Sequence, residues 1–475
     1  MDSYLQWFYE TAILLRELLA EDGSIYVHLD WHVGHYAKVI LDEVFGYENF
    51  MNEIVWYYYN KFQGNINRFA SNHDLIFWYK KGEKFCFNKQ VEKRANTVKQ
   101  IKRVWDKEKS KVVNAKDEAG KVQYIETDEK TVDDVWRISM LQPADKTENL
   151  FYPTQKPEFF LERILRASSN EGDLILDCFA GSSTTAATAE KLGRRWITCD
   201  LGRFAIHTTR KRLLGIENVK PFIVQNLGKY ERQQWVKAQF TDAENRVALE
   251  QAYRTFILDL YRAEPLNGYT WLHGNRGGRM VHIGSVDAPV SDGDVKAIVS
   301  EFWRTVGKSG ATVNGLDILG WDFAFELNQT AKQYAATNNV DLKFKKIPNE
   351  VLEKKAVEQG DIQFFELAYL EVNAKVEKRT LNLALSDFII PPDDVPMEVR
   401  SKITHWSQWI DYWAVDWNFR DDTFHNEWQS YRTRKDPKLD LNVTHDYEEP
   451  GTYTVLVKVI DILGNDTTKM VMVEV

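Results

Sequence analysis

Leu174-Ile175-Leu176-Asp177-Cys178-Phe179-Ala180-Gly181-Ser182-Ser183-Thr184-Thr185 (LILDCFAGSSTT) is the stretch on which the fold turns. A short apolar run between the Gly172-Asp173 turn and an acid reads as a buried strand. Small residues follow, then a helix from Thr184 to Leu192 closed by Gly193. A strand–turn–helix unit of this kind points free backbone amides at whatever lies beyond the strand end. Gly181 lets that backbone approach a ligand closely. The next strand, Trp196-Ile197-Thr198-Cys199, ends in Asp200, an acid placed to accept hydrogen bonds from ribose hydroxyls. The geometry suits an adenosine-containing cofactor at the C-terminal edge of a sheet. It is not GxGxxG, because Ser183 stands where a further glycine belongs, and no Gly-Lys-Ser/Thr follows to make a phosphate loop. On these residues alone a nucleotide site and an ordinary α/β turn both stay open.

Upstream, Leu5, Phe8, Tyr9, Ala12, Leu15 and Leu19 recur at helical spacing, and Ser24 to Leu29 reads as a strand ending at Asp30. Tyr36 to Phe45 is a second helix stopped by Gly46. Glu53 to Tyr59 and His73 to Tyr79 are aromatic-rich strands joined by a loop containing Gly64, Asn65, Asn67 and Asn72. Residues 85–150 are polar and are expected to be an irregular insertion rather than core. Regular patterning returns at Pro157, placed to open a helix through Ala167. Phe204 to Leu214 is helical and Pro221 to Val224 is read as the start of a strand. These alternations make residues 1–225 a layered α/β domain.

Beyond it, a charged helical stretch leads to Tyr269-Thr270-Trp271-Leu272, followed by short strands at 281–283, 316–321 and 341–344 and helices at 294–305 and 330–336. This is a second α/β region, residues 226–390, ending with strands at 364–371 and 381–385. Pro391-Pro392-Asp393-Asp394 breaks the pattern, and residues 391–475 are expected to be all-β, with a hairpin from Gly451 to Val473. Trp406, Trp409, Trp413 and Trp417 recur every three or four residues and read as a helical face packed at a domain interface.

The 475 residues exceed what one core supports. The net charge of −9 argues against a chain that coats nucleic acid non-specifically but not against a local DNA-binding face. Three cysteines, Cys86, Cys178 and Cys199, have no ligand-like spacing, so no disulfide framework is expected and a reducing cytoplasm fits. No signal peptide or membrane span is read. His28, His32 and His35 lack a carboxylate or cysteine at ligand spacing, so no metal site is expected. The run from Lys93 to Lys111, including Lys93, Arg94, Lys99, Lys102 and Arg103, is by charge alone a solvated face.

FAGSSTT followed by AEKLGRRWITCD resembles the cofactor motif of DNA methyltransferases that modify exocyclic amines. Tyr152-Pro153-Thr154-Gln155-Lys156-Pro157 matches the PTQKP signature of the same enzymes, about twenty residues before the cofactor strand. That order is the permuted class, and SIYVHLD ending at Asp30 also resembles a strand of the family. To about residue 225 the chain looks like the methylating subunit of type III restriction-modification systems and their relatives. The resemblance implies a Rossmann-like, circularly permuted methyltransferase fold and S-adenosylmethionine as cofactor. It implies that Asp177, Phe179, Ala180 and Gly181 cradle the methionine side and Asp200 the ribose. Pro153, Thr154 and Lys156 close the pocket, while Asp30 and Asn72-His73-Asp74 lie toward the target base. It makes residues 85–150 the recognition region, and Lys93, Arg94, Lys99, Lys102 and Arg103 contacts to the phosphates of double-stranded DNA.

The family holds its flipped base with Asp-Pro-Pro-Tyr. That tetrapeptide is absent from the sequence; Pro391-Pro392-Asp393 is reversed and misplaced. The expectation is an incomplete sheet lacking its central strand, which a second methylase chain or a complementing N-terminal fragment would restore. A restriction subunit is a further expected partner. Three readings follow: an adenine-N6 methylase piece (with cytosine N4 as runner-up), a non-catalytic DNA-binding or assembly subunit, and an unrelated nucleotide-binding protein.

Overall fold

An apolar run buried on both of its faces, Leu75-Ile76-Phe77-Trp78-Tyr79, lies at the middle of a sheet in a computed structural model of the chain. The structure describes residues 2–60, 67, 69–107, 109–145, 147–240, 245–306, 314–324, 327–352, 354–360, 362–391, 395, 397–420, 423–433 and 436–475. Gly64 and Asn65 of the expected loop, and Pro392, Asp393 and Asp394, lie outside these residues. Two units are present, 1–221 and 222–475.

The first unit runs α1 (Asp2–Leu18), β1 (Ser24–Leu29), α2 (Gly34–Phe45), β2 (Phe50–Tyr57), β3 (His73–Lys80), β4 (Val91–Ile101), β5 (Arg103–Asp106), β6 (Lys111–Asn114), β7 (Tyr124–Thr131), β8 (Val135–Arg137), α3 (Glu158–Ser168), β9 (Leu174–Asp177), α4 (Thr184–Lys191), β10 (Arg195–Thr198) and α5 (Arg203–Leu214). Its four-stranded sheet has the order β1-β3-β2-β8, with β8 parallel to β2 and the other pairs antiparallel. Leu75, Phe77 and Tyr79 of β3 pack with Phe8, Ala12, Ala37 and Leu41 of α1 and α2. Ile76 faces the other way, with Trp56, Trp136 and Phe160 of α3. This period-two division explains why β3 is apolar throughout: it is covered on both faces. β9 and β10 form a separate parallel pair.

Residues 85–150 depart from the expectation of irregular chain. β4 pairs with β7 and β5 with β6 as two antiparallel ribbons. Val135-Trp136-Arg137 adds a strand to the main sheet, with Trp136 buried in its core. The composition is polar because the ribbons are exposed on both faces, which removes the alternation by which a strand is recognised. Pro221 to Val224 forms no strand.

The second unit opens with α6 (Gly228–Gln239) and α7 (Arg246–Tyr261), followed by β11 (Glu264–Pro265), β12 (Gly274–Arg276), β13 (Arg279–Ile283), α8 (Asp292–Val306), β14 (Gly315–Gly320), α9 (Leu327–Thr337), β15 (Asp341–Lys346), α10 (Lys354–Gln359) and β16 (Phe365–Glu366). These strands make one sheet in sequence order, parallel from β13 to β15. α8 and α9 contribute Ile298, Phe302, Ala331 and Ala335 to one core and α7 contributes Tyr253 and Ile257 to another.

The chain then builds β17 (Tyr369–Glu377), β18 (Thr380–Ile389), α11 (Met397–Arg400), β19 (Ile410–Asp416), β20 (Trp428–Tyr431), β21 (Asn442–Asp446), β22 (Thr452–Asp461) and β23 (Asp466–Glu474). Sheets β17-β18-β21 and β20-β19-β22-β23 enclose a core of leucines, valines and tryptophans. The four tryptophans are not one helix: Trp406 and Trp409 bound a 3-10 turn, Trp413 lies in β19 and Trp417 follows it. They pack inside this β-domain, where the Trp413 indole donates to the Asp440 carbonyl at 2.6 Å. Among the described residues no helix is long and apolar enough to cross a membrane.

Candidate functional site

The loop after β9 is held shut by the acid that ends β10. The Gly181 amide donates to Asp200 Oδ2 at 2.8 Å, and the Gly202 amide donates to Oδ1 of the same carboxylate at 2.8 Å. The Ala180 amide donates to the Cys199 carbonyl at 2.9 Å, and the Cys199 amide to the Asp177 carbonyl at 3.0 Å. Two parallel strands thus continue their ladder into the loop, and the carboxylate closes its end. Asp177 Oδ1 accepts from the Phe179 amide at 3.0 Å, so this acid shapes the first half of the turn.

Gly181 has φ +50°, and a Cβ there would lie 3.3 Å from the Tyr152 ring. Both facts favour glycine. Ser183, the position where a glycine was missed in the sequence, is itself left-handed at φ 51°, and its hydroxyl is hydrogen-bonded to that of Thr209, with both side chains buried. That bond offsets a backbone cost of about 1–2 kcal/mol. Ala180 is buried, whereas Phe179 is exposed and meets the Trp7 ring edge-on at 5.9 Å.

The 152–157 segment lies against this loop. Tyr152 stacks on Phe204 of α5 at 6.1 Å, Thr154 is left-handed at φ 65°, and Pro153 is exposed. The Lys156 carbonyl accepts from Thr184 Oγ1 at 3.1 Å at the start of α4. Buried Gln155 ties the segment down, donating to the Glu148 carbonyl at 2.9 Å and accepting from the Leu150 amide at 2.8 Å. Arg212 of α5 donates to the Ser182 carbonyl and to Glu158 at 2.9 and 3.0 Å, joining α3, the loop and α5. Neither Gln155 nor Arg212 was singled out in the sequence; Gln155 lay inside the PTQKP signature.

Lys156 brings the two sheets into one electrostatic site. Burial pushes its ammonium below the ordinary lysine range, against the pull of Asp177 on β9 and Asp74 on β3. Asp74 in turn accepts from His28 of β1 at 3.1 Å and from the Tyr58 hydroxyl at 3.4 Å. Burial lowers the His28 pKa, and it raises that of Tyr58 to about 12 with the help of Asp74. Sequence reading placed Asp30 and the 72–74 loop together but gave no sign that His28, Tyr58 and Asp74 form one network. Asp30 is exposed and hydrogen-bonded to His32.

Of the basic run, Lys93, Lys99, Lys102 and Arg103 are exposed and Arg94 is half-buried. Lys93 lies opposite Glu129 and Lys99 opposite Glu126 across the β4–β7 ribbon. Trp105 and Tyr124, both exposed, lie near Lys102 and Arg103 in the chain or across the strand pairing.

β9 has β10 as its one strand partner and β1 has β3, so each presents an open edge among the described residues. Leu174, Leu176 and Ile197 are exposed on one face of the β9–β10 pair.

Residues 1–211 match the DNA methylase family, and residues 409–473 match the PKD domain. That likeness to DNA methylases lies in the N-terminal unit. The chain is 29% identical over 259 residues to the type II methyltransferase M.EcaI of Enterobacter cloacae, covering 44% of this chain and 57% of that protein. It is 31% identical over 206 residues to the type II methyltransferase M2.DpnII of Streptococcus pneumoniae, covering 42% of this chain and 63% of that protein. Among solved structures it is similar to an M1.HpyAVI–SAM complex, at 22% identity and TM-score 0.30, covering 44% of this chain and 82% of that one. The chain therefore spans little more than half of the first two curated relatives.

Proposed function

We propose that this chain carries the donor-binding half of a site-specific DNA methyltransferase, which moves a methyl group from S-adenosylmethionine to adenine N6 in double-stranded DNA. The observation that carries the reading is the β9–α4 loop, pinned at Gly181 by Asp200 and flanked by the 152–157 segment. The residues fit the donor. Asp200 still has acceptor capacity for ribose hydroxyls, because a carboxylate has about four lone-pair directions and two serve the backbone. Pro153, Thr154, Lys156, Asp177, Phe179, Ala180 and Gly181 line the methionyl side. When bound, the donor supplies an electrophilic methyl group on a sulfonium. The chain's own residues bind and orient that group.

The acceptor half is proposed to come from a strand bearing Asp-Pro-Pro-Tyr, absent from these 475 residues, seated between β9 and β1. The two open edges and the exposed apolar face of Leu174, Leu176 and Ile197 support this. A complementing N-terminal segment or a second methylase chain is the source, and a restriction subunit of the type III kind is a further partner. Lys102 and Arg103, with Arg94, Lys93 and Lys99, contact phosphates on the recognition side. Lys93 and Lys99 contribute less, because acids face them across the ribbon.

Methyl transfer to duplex DNA, measured with and without the supplied Asp-Pro-Pro-Tyr segment, tests this. Transfer only in the complemented sample, to adenine rather than cytosine, is the expected result. A folded, complemented sample that transfers nothing rejects it and leaves the non-catalytic DNA-binding reading, which the missing tetrapeptide alone favours.

A further inference from the structure

An isolated two-stranded ribbon is marginal in water, and one that leaves large apolar side chains uncovered marks an interaction surface. The β5–β6 ribbon continues the β4–β7 arm: the Lys102 amide donates to the Gln123 carbonyl at 2.9 Å, and the Ala115 amide donates to the Lys102 carbonyl at 2.7 Å. The root of the arm is fixed. The Asn88 amide donates to the Ala167 carbonyl of α3 at 2.7 Å, and Glu92 pairs with buried Arg163 of the same helix. Register puts Arg103 opposite Asn114 and Trp105 opposite Val112. Paired residues share a face, as do residues two apart along a strand, so all four lie on one side of the ribbon. Trp105 is 61% exposed and Val112 56%. Among the described residues none hydrogen-bonds or pairs with the side chain of Arg103 or Asn114. The local charge is opposite to that of the chain: residues 101–114 hold five basic and two acidic side chains, in a protein of net charge −9. An uncovered apolar strip beside a free carboxamide, ringed by cations, complements a polyanion with flat, hydrogen-bonding edges. The major groove of duplex DNA, about 12 Å wide, admits a two-stranded ribbon.

We propose that the β5–β6 ribbon lies in the major groove, where Asn114 reads an adenine and the Trp105–Val112 strip meets a thymine methyl. This rests on the DNA-modifying function proposed above and deepens it, by naming groups that select the site rather than hold the backbone. The Asn114 amide group donates to adenine N7 while its carbonyl accepts from the N6 amine. No other base offers an acceptor and a donor side by side in this groove. The adenine read in this way stays stacked and is not the base that is modified. Val112 lies two residues from Asn114 along β6, about 7 Å. That is about two base steps. A thymine C5 methyl at that distance is covered by Val112 and the Trp105 ring. Arg103 has the reach for the phosphate wall, whereas the short Asn114 side chain reaches the groove floor beneath the ribbon.

The test is selection of duplexes from a randomised pool by the full chain, followed by direct binding of the selected duplex and its chemical variants. The unaltered chain selects a required adenine with a thymine about two steps away. Exchanging that adenine for another base costs about tenfold or more, the scale of one bidentate contact. 7-Deazaadenine, which lacks N7, costs part of that factor, and uracil in place of the thymine, which lacks the methyl, also weakens binding. Asn114→Ala no longer distinguishes adenine from 7-deazaadenine, and its affinity for unselected duplex is unchanged. Asn114→Asp moves the preference at that position to cytosine, whose N4 amine a carboxylate accepts. Trp105→Ala reduces the uracil effect and leaves the adenine effect. A merely structural role would weaken all duplexes equally and could not exchange one base for another. Asn114 and Trp105 are both exposed, so the fold does not depend on them. An unaltered chain that binds duplex without preferring adenine, or an Asn114→Ala variant that keeps the preference, overturns the proposal. Failure of the unaltered chain to bind any duplex overturns the DNA-binding part of the proposed function, and this inference with it.

Discussion

Replacing Asp200 with alanine removes the clasp between the two halves of the candidate donor site. Its carboxylate accepts two backbone amides, from Gly181 and Gly202, both at 2.8 Å. A hydrogen bond to a charged group contributes about 1.5–3 kcal/mol. The side chain is half-exposed, so solvent screening brings the two together down to about 2 kcal/mol. Without the clasp, the loop must be ordered at the expense of binding. A 2 kcal/mol ordering term corresponds to about thirtyfold in Kd. Under the proposed function, lost ribose contacts weaken the donor further. Two measurements separate these contributions: calorimetric affinity for S-adenosylmethionine, and hydrogen exchange at the Gly181 and Gly202 amides. Exchange at both amides should accelerate in Asp200→Ala even without donor. If the amides stay protected and Kd changes less than twofold, the clasp argument is wrong.

Ser183→Gly should change stability by less than about 1 kcal/mol, because relief of a left-handed serine offsets the lost hydroxyl contact to Thr209. Ser183→Ala keeps the strain and loses the bond, so its thermal midpoint should lie below that of the glycine variant. In the second unit, burial lowers the pKa of His282 to about 4, and His273, whose Nδ1 accepts the Ile283 amide, is also held neutral. Between the unfolded value near 6.5 and the folded value, the unfolded chain binds more protons. Stability is therefore full above about pH 6.5 and declines toward pH 4, by roughly 3 kcal/mol for His282. Urea midpoints at pH 7, 6 and 5 should show this slope, flattened in His282→Gln; parallel slopes in both proteins would refute it. Lys102→Ala/Arg103→Ala should reduce the salt dependence of duplex binding by about two phosphate contacts, while Lys93→Ala/Lys99→Ala should change it less. Binding measured from 50 to 200 mM salt separates the two pairs.

Local chemistry made much of the molecule legible. The strand at Leu174–Asp177, the small-residue turn and the helix from Thr184 lie where periodicity puts them, because the apolar run and its punctuation are consecutive in sequence. Residues 91–131 were opaque for the opposite reason. Their strands bury neither face, so nothing in the side-chain pattern marks them, and backbone pairing between segments defines them. The tryptophans of 406–417 mislead by spacing alone, since intervals of three and four fit a helix until the surrounding sandwich claims them for a turn and a strand.

The sequence by itself determined the turn chemistry at Gly181, the acid at Asp200 and the absence of Asp-Pro-Pro-Tyr from these 475 residues, all readable along the chain. Only the tertiary structure decided that Asp200 clasps the turn, that Asp74, His28 and Tyr58 meet beside Lys156, and that β9 and β1 have open edges. The physical reason is that charge and hydrogen bonding act through distance in space. His28, Tyr58, Asp74 and Lys156 come from four separate segments, and no local pattern encodes their convergence.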